Sequence, residues 1–494
     1  MTLKYAFVFI LLTIVLTDAS AKPLDEALPG SKPNIILVMT DDQGLGDLSF
    51  TGNEIVNTPN IDRFASNAVR FNDFQVSPTC APTRAALMSG LPPFKVGVTH
   101  TILQRERMAL DVLTLPQALQ SAGYKTGLFG KWHLGDEAQY LPQARGFDEV
   151  LMHGAGGIGQ TRLGDFPPNK DNLYFDNVLL HNDTIVQTEG FCTDLFFSAA
   201  LSWIKKQHSA KQPYFAYVSL NASHGPYIAP ESYKKRFLDA GYDEKTAGRY
   251  GMIENIDDNV GRLMSKLAQW GALDNTLIIF MTDNGMSMPP MIKNGKKIIP
   301  FNAGLKGRKN SAYQGGTKVP MYWQWQGVLN KNIDINALTA HIDLYPTLTV
   351  LAGAKLPKSM QQLDGRSLVP LLNNPRALWD DRKLFFHTGR WKAGEMEANK
   401  YGKYAVRTER WRLVNNTELY DLNADPGETK NLASQYPKVV ISLRKAYEKW
   451  WEEAVPLMVN EGLPKVKEAD LPLVKRYYQQ REKSGIIHWS PDES

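Results

Sequence analysis

Apolar residues fall in short runs separated by amphipathic stretches. Asn34–Met39 (NIILVM), Tyr124–Phe129 (YKTGLF), Tyr214–Leu220 (YFAYVSL) and Leu277–Met281 (LIIFM) are continuous enough to be strands covered on both faces. Between them, Thr114–Ala122, Thr193–Gln207 and Asp257–Trp270 repeat their apolar positions at helical spacing. Strands alternating with helices predict an α/β fold, a large mostly parallel or mixed sheet sandwiched by helices. No internal repeat or low-complexity tract interrupts this pattern.

After Asn374-Pro375 the period changes. Tyr404–Arg407, Trp411–Val414 and Leu419–Leu422 read as a meander, with Asn415-Asn416 as a turn, and Pro437–Glu453 reads as an amphipathic helix. We therefore expect a large α/β domain over residues 22–372. A small C-terminal α+β subdomain with an antiparallel sheet and a helix, over residues 373–494, would follow it and end in a polar tail.

The N-terminus carries a different signal. Lys4 precedes the apolar run Ala6–Leu16, and Ala19-Ser20-Ala21 offers a small-x-small cleavage site. Residues 1–21 read as a secretory signal peptide. The run is too short to span a bilayer, and no later run reaches spanning length. The expectation is an exported chain, periplasmic or secreted, with no transmembrane anchor; the sparse cysteines suggest a bacterial rather than a lysosomal setting. Asn182, Asn221 and Asn415 each begin an Asn-x-Ser/Thr triplet, which matters only in a host that glycosylates.

Composition changes this picture little. The 494 residues are 43% hydrophobic and 22% charged with a formal net charge of +5. Without a clustered basic stripe that charge does not point to nucleic acid. The cysteine count matters more. Exported proteins usually pair their cysteines, and here Cys80 and Cys192 are the whole complement. They are either one bridge or two unpaired thiols.

In open α/β sheets ligands bind beyond the carboxyl ends of the strands. The four runs are followed by Thr40-Asp41-Asp42, Gly130-Lys131-Trp132-His133, Asn221-Ala222-Ser223-His224 and Thr282-Asp283-Asn284-Gly285. Either acidic pair alone reads equally as a turn. Together Asp41, Asp42, Asp283 and Asn284 form an all-oxygen set, suited to Ca²⁺ or Mg²⁺ rather than Zn²⁺. Lys131 and Lys309 can hold a tetrahedral anion as point charges, and His133 and His224 can move protons. Gly154-Ala155-Gly156-Gly157-Ile158-Gly159 matches a dinucleotide-binding glycine pattern, but a turn-rich stretch follows it instead of a helix. It reads as a flexible loop near the pocket.

Cys80, Pro82 and Arg84 resemble the Cys-x-Pro-Ser/Thr-Arg signature of the formylglycine-dependent sulfatases, arylsulfatase-like members of the alkaline phosphatase superfamily. CAPTRAALMSG keeps the spacing to Ser89-Gly90, and NIILVMTDDQG, GYKTGLFGKWHLG, TDNG, KNSAYQGGTKVP and HIDLYPTL resemble the family's other blocks in order. The resemblance covers most of residues 33–370. It implies that a formylglycine-generating enzyme oxidises Cys80 to an aldehyde whose hydrate is the nucleophile. It also implies one Ca²⁺ held by Asp41, Asp42, Asp283, Asn284 and the modified Cys80. Arg84 would hold the diol and the metal ligands; Lys131, Lys309 and His224 would clamp the sulfate. His224 or Lys309 would protonate the leaving alcohol, and His133 would take a proton from the second diol hydroxyl as the aldehyde re-forms. Gln314 and Lys318 stand where the family often has Glu and Arg. Lys309 is chosen over Lys306 because it lies four residues before Tyr313, although Arg308 replaces the usual glycine.

The expected substrate is a sulfated carbohydrate or an aryl sulfate. His100, Trp132, His153, Arg162 and Tyr227 are candidates to shape a sugar site. Two alternatives stay open: a phosphonate or phosphodiester hydrolase of the same superfamily, and a catalytically silent polysaccharide-binding homologue.

Overall fold

The computed structural model describes residues 28–102, 104–160, 166, 173–287, 289–357, 362–464 and 466–492. The signal-peptide reading and Arg162 lie outside them. Eleven strands form one mixed sheet. At its centre are four strands: β1 (Asn34–Thr40), β2 (Lys125–Lys131), β3 (Tyr214–Ser219) and β4 (Thr276–Thr282). β1 pairs in parallel with β3 and β4, and β2 pairs in parallel with β3. Four consecutive carboxyl ends therefore lie at one edge of the sheet. Antiparallel strands flank this centre, Met321–Trp325 beside β4 and Val178–His181 beyond Glu149–His153.

The two faces of β1 show why its residues are apolar throughout. Ile35, Leu37 and Met39 pack with helix α1 (Cys80–Ser89) and with Leu115–Ser121 and Leu344–Ala352. Ile36 and Val38 face the opposite layer, formed by Cys192–Ser209 and by α2 (Glu244–Gln269). Helices on both faces leave no polar side for a strand to show, so period-two alternation is absent. α2 begins thirteen residues before the expected helix start at Asp257. Its N-terminal half includes Gly248 and Gly251, which pack against Tyr227 and Ala229 and blur the helical signal.

The C-terminal part forms a four-stranded antiparallel sheet, Leu384–His387, Tyr404–Arg407, Trp411–Val414 and Glu418–Asp421. Helix Pro437–Ala454 lays Leu443, Tyr447, Trp450 and Trp451 on it. The polar stretch after that helix folds back instead of trailing as a tail. Pro472–Ser484 is helical, and Ile487–His488 adds an edge strand to the large sheet beside Thr184–Gln187.

Candidate active site

Asp41 and Asp42 leave the end of β1, Lys131 ends β2 and Asp283 follows β4, all fully or almost fully buried. Gly130, the next-to-last residue of β2, sets how closely that strand approaches β3 on entering the site. Its φ is +118°, and a Cβ there would lie 1.9 Å from the Ser219 carbonyl of β3, so only glycine lets the two strands converge. Gly285 is likewise pressed against the Gly315 carbonyl, which brings the loop carrying Lys309 next to Asn284.

Cys80 is the first residue of α1, is 1% exposed and is not bridged; Cys192 is buried and also free. One ligand atom each from Asp41, Cys80 and Asp283 fit within 4.8 Å of one another. Lys131 Nζ donates to Asp41 at 2.5 Å, and Lys309 Nζ pairs with Asp42 at 2.6 Å. Asn284 Nδ2 donates to Asp42 at 2.8 Å. Arg84, buried on α1, donates to Asp283 at 2.8 Å, to the Lys131 carbonyl at 3.1 Å and to Ser219 Oγ. His224 turns Nε2 to within 3.8 Å of Asp42, while its Nδ1 donates to the Gly225 carbonyl at 2.7 Å. His133 Nε2 is 3.2 Å from Glu106. Asp42 and His133 hold φ of +60° and +64°. Left-handed backbone costs an ordinary residue about 1–2 kcal/mol, and both are held there by the contacts above.

Electrostatics divides the carboxylates. Burial pushes Asp41 to about 6 against the pull of Lys131, and burial with the neighbouring Asp41 pushes Asp283 to about 6. Burial acts on Asp42 too, but Lys309 and His224 hold it well below the usual range. Burial alone would raise the Cys80 thiol; Lys131 and Lys309 outweigh it and bring it down. Burial lowers His133 to about 4 and also lowers His224. Three clustered carboxyl groups, two of them reluctant to ionise, suit a cation. Two buried oxygens, Asp41 Oδ1 and Asn284 Oδ1, have no hydrogen-bond partner. Hard oxygen donors left unpaired beside a thiol and two carboxylates fit Ca²⁺ chemistry.

All ten residues singled out from the sequence converge here. Of the sugar-site candidates, two border the site: His100 precedes Thr101, whose carbonyl faces His133, and Tyr227 contacts Ser287, whose N–H donates to the Asp42 carbonyl. Trp132 and His153 are enclosed in the core, His153 edge-on to Phe196. His100 and Tyr227 are half-buried, and Tyr227 donates to the Ser287 carbonyl. The Gly154–Gly159 loop is packed rather than free: Ala155 N–H donates to Asp136, and Ile158 N–H to Asn221. Asn221 is thus an interior residue, not a surface glycan acceptor. The site opens beside His224 and Lys309, whose side chains are 21% and 7% exposed while Lys131 is sealed. Glu106, Ser219 and the buried Arg249–Asp47 pair, which also holds the Asp42 carbonyl, escaped sequence reading. None of the three follows an apolar run in a way that marks it.

Residues 33–354 match the family model described as Sulfatase, and residues 308–453 match N-sulphoglucosamine sulphohydrolase, C-terminal. The chain belongs to the sulfatase family. It is a sulfuric ester hydrolase. The enzyme is 30% identical over 442 residues to N-acetylgalactosamine-6-sulfatase of Rattus norvegicus, covering 84% of this chain and 79% of the relative. It is 30% identical over 461 residues to Arylsulfatase A of Homo sapiens, covering 84% and 86%. A crystal structure of Ps i-CgsB in complex with k-i-k-neocarrahexaose superposes with a TM-score of 0.74 at 28% identity, covering 91% of this chain and 97% of that one. The phosphonate monoester hydrolase of Agrobacterium radiobacter shares the fold (TM-score 0.60, 21% identity, 86% and 96% covered). Fold alone therefore does not divide sulfate from phosphonate esters. No described helix is long and apolar enough to cross a membrane.

Proposed function

We propose that this sulfatase removes sulfate esters from a sulfated carbohydrate, using formylglycine made from Cys80 and one Ca²⁺ held by Asp41, Asp42, Asp283, Asn284 and the modified Cys80. The observation that carries this reading is an unbridged cysteine at the head of a helix, set among carboxylates and two unpartnered buried oxygens. When bound, the cation supplies a Lewis acid for a sulfate oxygen, and the aldehyde hydrate supplies a nucleophilic hydroxyl.

The chain's own residues do the rest. Lys131 and Lys309 each have three donors, so bonding one carboxylate leaves donors for sulfate oxygens. Arg84 locks Asp283 and the end of β2 in place. His224 Nε2 or Lys309, on the open side, delivers a proton to the departing alcohol. His133, held neutral by burial, is the base for proton transfer at residue 80.

The carbohydrate class is supported by the named relatives, an N-acetylgalactosamine-6-sulfatase and a structure holding a neocarrahexaose. We further propose export to the periplasm or beyond, directed by residues 1–21, and maturation by a formylglycine-generating enzyme. The test compares aryl sulfate, aryl phosphonate and sulfated oligosaccharide hydrolysis by protein matured with that enzyme. Sulfate release from the oligosaccharide, lost in Cys80→Ala, is expected. Faster turnover of the phosphonate would overturn the reading.

A further inference from the structure

We infer that Glu106 is the positioning residue for His133: its carboxylate fixes the imidazole with Nε2 protonated and leaves Nδ1 as the proton acceptor. This rests on the reading of His133 as a base given above. Arg105-Glu106-Arg107 looks like a surface charge run in the sequence. The structure separates its members. Arg105 donates to Glu461 at 2.7 Å, and Arg107 donates to Glu137 at 3.0 Å. Glu106 turns inward and is 0% exposed. Its Oε2 lies 3.2 Å from His133 Nε2, close enough to pair but outside hydrogen-bond geometry, both carboxylate oxygens lack any hydrogen-bond partner, and no Lys or Arg pairs with it among the described residues.

The proton's place follows from a second contact. The Thr101 carbonyl is 3.4 Å from the same Nε2. A carbonyl only accepts, so Nε2 carries the hydrogen. Nδ1 is buried and has no partner. Burial pushes Glu106 up and His133 down, and each offsets part of the other's shift. An acid that orients a buried histidine and supports its imidazolium is the logic of hydrolytic triads. When His133 Nδ1 takes a proton from a hydroxyl, positive charge forms on the ring and Glu106 faces it; the hydroxyl oxygen keeps the electron pair.

The test starts on unmodified protein, where turnover plays no part. Histidine ¹⁵N–¹H correlation spectra, with His133 assigned by His133→Asn, should show Nε2 protonated and Nδ1 bare. Glu106→Gln should populate both tautomers, because the Thr101 carbonyl at 3.4 Å is too weak an acceptor to hold one alone. In matured protein, kcat for nitrophenyl sulfate should fall roughly 100-fold in Glu106→Gln while KM changes less than about threefold, with partial recovery in Glu106→Asp. If Glu106→Gln fails to fold, Glu106→Ala carries the same tautomer test. A wild-type tautomer in the variant, with or without a loss of kcat, overturns the inference. Absence of turnover in matured wild-type protein would instead count against the sulfatase mechanism, and the spectra would still decide the role of Glu106.

Discussion

Asn284 shows how one side chain serves two partners: its amide donates to Asp42 while its buried oxygen is left for something else. If that partner is Ca²⁺, adding the ion should raise the melting temperature of unmodified protein and a chelator should reverse it. At a hundredfold excess over Kd, binding stabilises by about 2.7 kcal/mol. Asp41→Asn and Asn284→Ala should shrink the shift; an unchanged shift in both would place the ion elsewhere. Arg84 gives a harsher prediction. Its ion pair with Asp283 is sealed from solvent. Arg84→Ala strands a buried carboxylate and should cost about 3–5 kcal/mol, read as a lower denaturation midpoint. The ten site residues were legible because each sits directly after an apolar run or inside a fixed-spacing block. Glu106 was not, since an acid between two arginines looks solvated until the fold turns it inward.

At the level of elements, the four central strands were readable because burial on both faces makes their sequences continuous. Met321–Trp325 and Leu384–His387 carry no such signal. The first is interrupted by Gln324, and the second is four residues with no alternation. α1 has no amphipathic stripe because all ten of its residues are buried; its place came from chemistry, not periodicity. Gly130 joins element geometry to the site. Gly130→Ala must push the Ser219 carbonyl away, separating β2 from β3 and moving Lys131. We expect little folded protein, or folded protein with a large loss of kcat; native melting and native activity would contradict this role for Gly130.

Across the whole molecule, the C-terminal sheet does more than cover a surface. Arg412, fully buried, donates to the Ala312 carbonyl and to Thr317 and faces Glu428, tying that sheet to the loop that carries Lys309. Arg407 pairs with Asp73, and Glu461 reaches Arg105, next to Glu106. Phe94 stacks on Trp450 within an aromatic cluster that spans both parts. Apart from Arg412–Glu428, these contacts join residues 95 to 356 positions apart, which is why no local pattern announced them. Arg412→Ala should weaken turnover as well as stability, with the lost activity tracking disorder of the Lys309 loop in hydrogen exchange. Ending the chain at residue 372 should give insoluble protein, because Phe94 and its neighbours would be bared.

The most direct test is the mass of the tryptic peptide Phe71–Arg84, from protein made in its host or alongside a formylglycine-generating enzyme. Residue 80 should appear as the aldehyde or its hydrate, with sulfur replaced by oxygen. An intact thiol at Cys80 in protein made under those maturing conditions would contradict it, and the cluster of lysines and carboxylates would be left without its nucleophile.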